Sequence, residues 1–190
     1  KYLIPLASGK AIASFGLTEP NAGSDAGGTQ TTAILENDDY IINGEKCWIT
    51  NASYAQTITV TAVTGKDASG KNIISAFIIP ADAKGMTITA PYDKMGVRAS
   101  DTTQIVLQDV RVAKDHLLGD SKKGFKQFLH TLDGGRISIA ALAVGLAQGA
   151  FERALAYAKE RKQFGKTISS FQAIQFKLAD MAMEIELARN

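Results

Sequence analysis

The chain has 190 residues, 45% of them hydrophobic and 21% charged, and a formal net charge of +2. That is the composition of an ordinary globular protein, and so weak a balance argues against a nucleic acid or a membrane surface held by charge. Cys47 is the one cysteine, which excludes an internal disulfide and a cysteine metal cluster and fits a reducing compartment. His116 and His130 stand far apart and read as surface or packing residues. Lys1–Lys10 lacks the apolar centre of a secretion signal, and no uninterrupted apolar run approaches the roughly 20 residues of a membrane span. A soluble, intracellular protein is expected.

In chain order, the first feature is Gly16-Leu17-Thr18-Glu19-Pro20-Asn21-Ala22-Gly23-Ser24-Asp25-Ala26-Gly27-Gly28. It reads as a strand end entering a Gly/Ser-rich loop, which either makes a plain turn or brings N–H groups and hydroxyls to a phosphate or a polar ring edge. It has neither the Lys-Ser/Thr of a phosphate loop nor dinucleotide glycine spacing. Tyr40-Ile41-Ile42 and Lys46-Cys47-Trp48-Ile49 flank Asn43-Gly44, a pair suited to a tight hairpin. In Lys46–Asn51 the tryptophan reads as core, or as an aromatic wall beside the Thr50 hydroxyl. Gln56–Val63 alternates polar and apolar residues as a half-buried strand does, Lys66–Lys71 reads as a turn, and Asn72–Ile79, Met86–Ala90 and Thr103–Leu107 read as further strands. Short strands at this spacing predict an antiparallel sandwich or barrel-like domain.

After Gly119 the pattern turns helical. Arg136–Glu160 is rich in Ala and Leu, lacks proline, and is apolar on nearly every face over its first half, so burial on several sides is expected. Gly165 closes this segment, and Ser169-Ser170 offers caps for a second helix from about Phe171, with Ile174, Leu178, Met181 and Ile185 at helical spacing. Glu160-Arg161-Lys162-Gln163-Phe164-Gly165-Lys166 places cations at a helix end, explained by the helix dipole and solvation or by a bound phosphate. Two such helices cannot cover each other, since a bundle needs about four. The expected class is therefore α+β: a β-domain of antiparallel strands, followed after about residue 118 by the start of a helical bundle. A fragment of a longer protein, or a chain that covers these helices with partner subunits, is expected.

Four motifs together resemble the acyl-CoA dehydrogenase family. Gly16–Gly28 fits that family's first signature at each restricted position, and Trp48-Ile49-Thr50, Met95–Thr102 and Glu160–Lys166 follow at the family's spacing. Val110-Arg111-Val112-Ala113 departs mildly, because the family favours proline where Ala113 stands. The resemblance spans essentially the whole chain but only the middle of a full-length member, and it implies that 1–10 ends an N-terminal helical domain, 11–118 is the middle β-domain and 119–190 starts the C-terminal helical bundle.

The resemblance implies FAD as cofactor. Phe15, Leu17 and Thr18 would line the flavin, with the Thr18 hydroxyl on its pyrimidine edge. Trp48, with Ile49 beside it, would shield a ring face, and Thr50 would bond near N5. Ser24 would contact the acyl-CoA pantetheine chain and counts among the cofactor-binding residues as well. Asp133 and Arg136, at the start of the long helix, would meet CoA. Arg161, Phe164 and Gln172 would reach the FAD of a neighbouring subunit in a homotetramer built as a dimer of dimers.

The implied reaction is α,β-dehydrogenation of an acyl-CoA thioester, with electrons leaving to an electron-transfer flavoprotein, in the bacterial cytoplasm or the mitochondrial matrix. No catalytic base is expected among these residues. The family's C-terminal Gln-x-x-Gly-Gly-x-Gly run and the glutamate beyond it have no counterpart here, and Gly135 stands where some members carry a base just before the arginine matching Arg136. The 190 residues alone are accordingly expected to be inactive. Two rival readings stay open: an acyl-CoA oxidase, and a non-catalytic flavin-binding or assembly module.

Overall fold

The computed structural model describes residues 1–190 and divides into two compact units, Lys1–His130 and Thr131–Asn190. In the first, a short helix α1 (Leu3–Ala7) precedes seven strands: β1 (Ala13–Gly16), β2 (Thr32–Glu36), β3 (Asp39–Thr50), β4 (Thr57–Lys66), β5 (Asn72–Pro80), β6 (Met86–Ile88) and β7 (Thr102–Ala113). They form one sheet in the order β1-β4-β2-β3-β7-β6, with β5 on β4. The α+β class holds, and most pairs are antiparallel, but β1 and β2 both run parallel to β4. The chain leaves β1, makes the β2–β3 hairpin, and only then returns beside β1, so that contact cannot be a hairpin.

The core is built by alternation. On β7, Thr103, Ile105 and Leu107 are buried, and after an irregularity Val110 and Val112 resume on the same side. Ile105, Leu107, Val110 and Val112 pack with Ile42, Ile49, Ile58, Val60, Phe77 and Ile79, each side chain contributing about 1.5–3 kcal/mol by leaving water.

One expected hairpin is absent. β3 runs unbroken through Asn43-Gly44, and the chain instead reverses at Asn37-Asp38, between the paired residues Glu36 and Asp39, with Asn37 at φ 56°. Asn43 spends its side chain on Asp109 of β7, donating to Oδ1 at 3.1 Å and accepting from its N–H at 2.8 Å. Gly44 is needed for space as well as conformation. It sits at φ 147°, and a Cβ there would lie 2.5 Å from Thr31 Oγ1 and 2.7 Å from Thr31 Cα.

Helix α2 (Gly124–Glu160) starts twelve residues before the expected Arg136, despite Gly134-Gly135. Its first turns are anchored on the sheet. Phe128 is buried and stacks on Phe15 with centroids 4.2 Å apart, and a side chain on Gly124 would run into the Ser75–Ala76 backbone of β5. Tertiary packing thus overrides the low helix propensity of glycine. By length and composition α2 also meets the criteria for crossing a bilayer, with mean hydropathy 1.3 in its most apolar stretch.

In the second unit α2 is followed by a two-stranded ribbon, β8 (Lys162–Gln163) and β9 (Lys166–Thr167), and by α3 (Gln172–Arg189). The ribbon was not expected. Phe164 and Gly165 both take positive φ, 52° and 76°, the pairing a two-residue turn of the I′ kind requires. Ser169 and Ser170 do not cap α3. They form a 3₁₀ turn, where the Ser170 hydroxyl donates to Thr167 O at 2.7 Å, and Phe171 stands at the N-cap without a side-chain bond.

Gly44→Ala should cost roughly 1–3 kcal/mol, the usual range for overpacking a close contact. A urea midpoint within error of wild type would show that β2 and β3 do not need this approach.

Candidate functional site

β1 delivers the chain into the Gly16–Gly28 loop, and that loop is built around a buried ion pair. Lys46 Nζ, on a side chain with no exposure, lies 2.6 Å from Glu19 Oε1, 3.1 Å from Thr61 Oγ1 and 3.3 Å from Leu17 O. Glu19 accepts in addition from the N–H groups of Gln30 at 2.7 Å and Thr31 at 3.2 Å. Burial resists ionisation of this carboxyl, but the Lys46 charge and the hydrogen bonds outweigh it and hold Glu19 below the usual carboxylate range. Burial likewise pulls Lys46 below the ordinary ammonium range, against the opposing pull of Glu19.

The next residues of β3 shape the surface. Cys47 N–H donates to Thr18 O at 2.9 Å. Between the pairs Lys46–Ile105 and Ile49–Thr103, β3 has two residues where β7 has one, and the extra residue, Trp48, takes φ 56°. Such a bulge re-aims a side chain. Trp48 is 63% exposed, so its indole lies outside the core, and Ile49 takes the inward place at 2% exposure. Strict alternation puts Trp48 on the face of Ile42 and Lys46, which is why a core reading was open. The left-handed conformation is uncommon for a bulky residue and marks a position held by its surroundings.

Beyond the bulge, Ser14 Oγ donates to Thr50 O at 2.8 Å, joining β1 to the end of β3. Asp101 clips the turn that follows: its carboxylate accepts from Ser53 N–H and Oγ, both at 3.0 Å, and its carbonyl accepts from Asn51 N–H. Asp101 closes the Met95–Thr102 motif, where Lys94 Nζ donates to Ser100 O at 2.5 Å and to Thr102 Oγ1 at 2.8 Å. The bonds from Cys47 N–H to Thr18 O and from Ser14 Oγ to Thr50 O therefore tie β1 and the start of its loop to β3 on either side of Trp48. Neither threonine hydroxyl has an intramolecular partner. An exposed indole with two free hydroxyls nearby fits a flat group with a polar rim.

The other candidates are placed as follows. Phe15 and Leu17 pack with Ala76 and Phe128. Ile49 is core, so any ligand contact it makes is through its main chain. Ser24 is exposed and lines a cleft of about 1070 Å³ with Gly27, Gly28, Ile74, Phe125 and Lys126. In the second unit, Asp133 and Arg136 lie well inside α2 rather than at its start, paired at 3.7 Å on the exposed face. Arg161 immediately precedes β8 and accepts from Ile168 N–H. Phe164, at the ribbon tip, is 92% exposed and meets Phe171 edge-on at 6.2 Å, with Gln172 next in sequence. Lys46 and Asp101 stood within the motifs without an assigned role. A lysine on the inward phase of an apolar strand was the available signal.

Two family models match the chain. Residues 14–110 match the acyl-CoA dehydrogenase middle domain and residues 122–190 match the acyl-CoA dehydrogenase C-terminal domain. The chain belongs to the acyl-CoA dehydrogenase family. It is 76% identical over 188 residues to the Bacillus subtilis protein named "Probable acyl-CoA dehydrogenase YngJ", covering 99% of this chain and 50% of that protein. Among solved structures, butyryl-CoA dehydrogenase from Megasphaera elsdenii superposes with a TM-score of 0.94 at 48% identity, over 100% of this chain and 49% of that one. An acyl-CoA dehydrogenase complexed with FAD from Bacillus anthracis gives 0.93 at 40% identity, over 99% of this chain and 32% of that one. This acyl-CoA dehydrogenase chain thus spans about half the length of the curated relatives it matches.

Because the folded carboxyl of Glu19 titrates below its unfolded value, its stabilisation is complete above the ordinary carboxylate range and is lost as pH falls through the folded value. The stability gap between the full-length protein and its Glu19→Gln variant should therefore close on acidification from pH 7 toward 3. A gap constant across that range would contradict the assignment.

Proposed function

We propose that the full-length protein is an FAD-dependent acyl-CoA dehydrogenase, converting acyl-CoA thioesters to trans-2-enoyl-CoA and passing electrons to an electron-transfer flavoprotein. The observation that carries this reading is Trp48, turned outward on a bulge beside the free hydroxyls of Thr18 and Thr50, in a unit that matches the family's middle domain.

In this reading the indole of Trp48 covers one face of the isoalloxazine and excludes water from it. The Thr18 and Thr50 hydroxyls would hydrogen-bond the polar rim of the ring and orient it. Phe15 and Leu17 support the loop from beneath. When bound, FAD supplies the acceptor for the hydride leaving the β-carbon. Ser24 holds the pantetheine arm, and Asp133 with Arg136 holds CoA. Arg161, Phe164 and Gln172 serve the FAD of a neighbouring subunit. The exposed apolar face of α2, with Ile137 at 76%, supports a homo-oligomer.

The α-proton needs a base within reach of its carbon. Three carboxylates of the chain have other work: Glu19 faces Lys46 and Asp101 holds Ser53 in the first unit, and Asp133 pairs with Arg136 in the second. Gly135 has no carboxylate. We place the base in the full-length protein outside these residues.

In the full-length protein Trp48→Ala should weaken FAD binding by the stacking contribution of one aromatic pair, about 0.5–1.5 kcal/mol, and alter the absorbance of the bound flavin. Unchanged affinity, spectrum and turnover would sink the assignment.

A further inference from the structure

We infer that Lys46 is a positioning residue for the flavin edge, an inference that rests on the flavin reading of Thr18 and Trp48. Lys46 cannot touch a ligand itself. Its side chain has no exposure, and an ammonium has three N–H donors, matched here by Glu19 Oε1, Thr61 Oγ1 and Leu17 O. Its influence passes through the main chain. Two consecutive residues of β3 grip two consecutive carbonyls of the loop, Lys46 through its side chain on Leu17 O and Cys47 through its N–H on Thr18 O. The third residue in that row is Trp48. The depth at which Lys46 sits therefore sets both the Thr18 hydroxyl and the Trp48 indole.

The other end of the pair acts on the same loop. Glu19 takes the N–H groups of Gln30 and Thr31 and so closes Pro20–Thr29, the stretch that carries Ser24. Stability alone is a poor reason for such a pair, since a well-packed apolar pair of similar volume is often as stable as a buried ion pair. An apolar side chain at either position, however, could bond neither Leu17 O nor the Gln30 and Thr31 N–H groups. Position is what the charges provide.

The test uses the full-length protein in four forms besides wild type: Lys46→Met, Lys46→Met/Glu19→Gln, Glu19→Gln and Thr18→Val. Three quantities are read: the urea midpoint, the dissociation constant for FAD and the visible absorbance of bound flavin. The double variant buries no charge and should regain much of the midpoint lost in Lys46→Met. It should still bind FAD at least tenfold more weakly than wild type, with an altered flavin spectrum. FAD affinity and spectrum that recover together with the midpoint, or that never change, would overturn the inference and leave the pair a stability element only. If neither Lys46 variant folds, Glu19→Gln reads the same quantities, with weaker FAD binding expected and unchanged binding contradicting. Thr18→Val separates the two claims. Should it alter the flavin while the double variant does not, the Lys46 inference alone falls. Should neither alter it, the flavin reading of this loop falls as well.

Discussion

A lysine and a glutamate buried together, Lys46 and Glu19, fix more of this structure than any apolar contact does. Taking either charge out of water alone costs several kcal/mol, and removing one partner of such a pair typically costs about 3–5 kcal/mol. The pair is tolerable because its donors are used and its acceptors are shared with main-chain N–H groups. That requirement dictates geometry. Glu19 must reach the start of β2, Lys46 must reach Leu17 and Thr61, and Thr31 must then lie against Gly44 with no room for a side chain. Residues at or beside the ends of four strands meet around one charge pair, and the Pro20–Thr29 loop is what remains outside it.

The second constraint is the register of β3 on β7. Asp109 is an extra residue on β7 and Trp48 is an extra residue on β3, so the two irregularities cancel and the long pairing ends in the register in which it began. A single bulge would leave every later side chain on the wrong face. Two of opposite sense keep Ile42, Ile49, Ile105 and Val110 in one core, while one residue on each strand turns outward. On β7 that residue is tied to Asn43. On β3 it is a largely exposed indole.

Strands and helices were legible where a period was sustained. Gln56–Val63 alternates polar and apolar residues and Asn72–Ile79 is rich in β-branched ones, and both lie in strands. Asn43-Gly44 misled because its turn chemistry is real but was spent on a close approach to Thr31 and a bond to Asp109. The start of α2 was hidden because Gly124 and Phe128 are held by sheet contacts that no local propensity records. The site was legible in another way. Composition and spacing left Gly16–Gly28 and Trp48–Thr50 open between bland and sharp readings, and only the resemblance joined them. Lys46 went unassigned because its partner lies 27 positions away and pairing across that distance leaves no local pattern.

The central claim is that Trp48 faces a flavin from its bulge. The most direct measurement is fluorine NMR of the full-length protein labelled with 5-fluorotryptophan, with the Trp48 resonance assigned by its loss in Trp48→Phe. Adding FAD to the apoprotein should move that resonance strongly, through the ring current of the isoalloxazine, and Thr18→Val should leave the apo position unchanged. A Trp48 resonance that stays in place while FAD binds stoichiometrically would contradict the account.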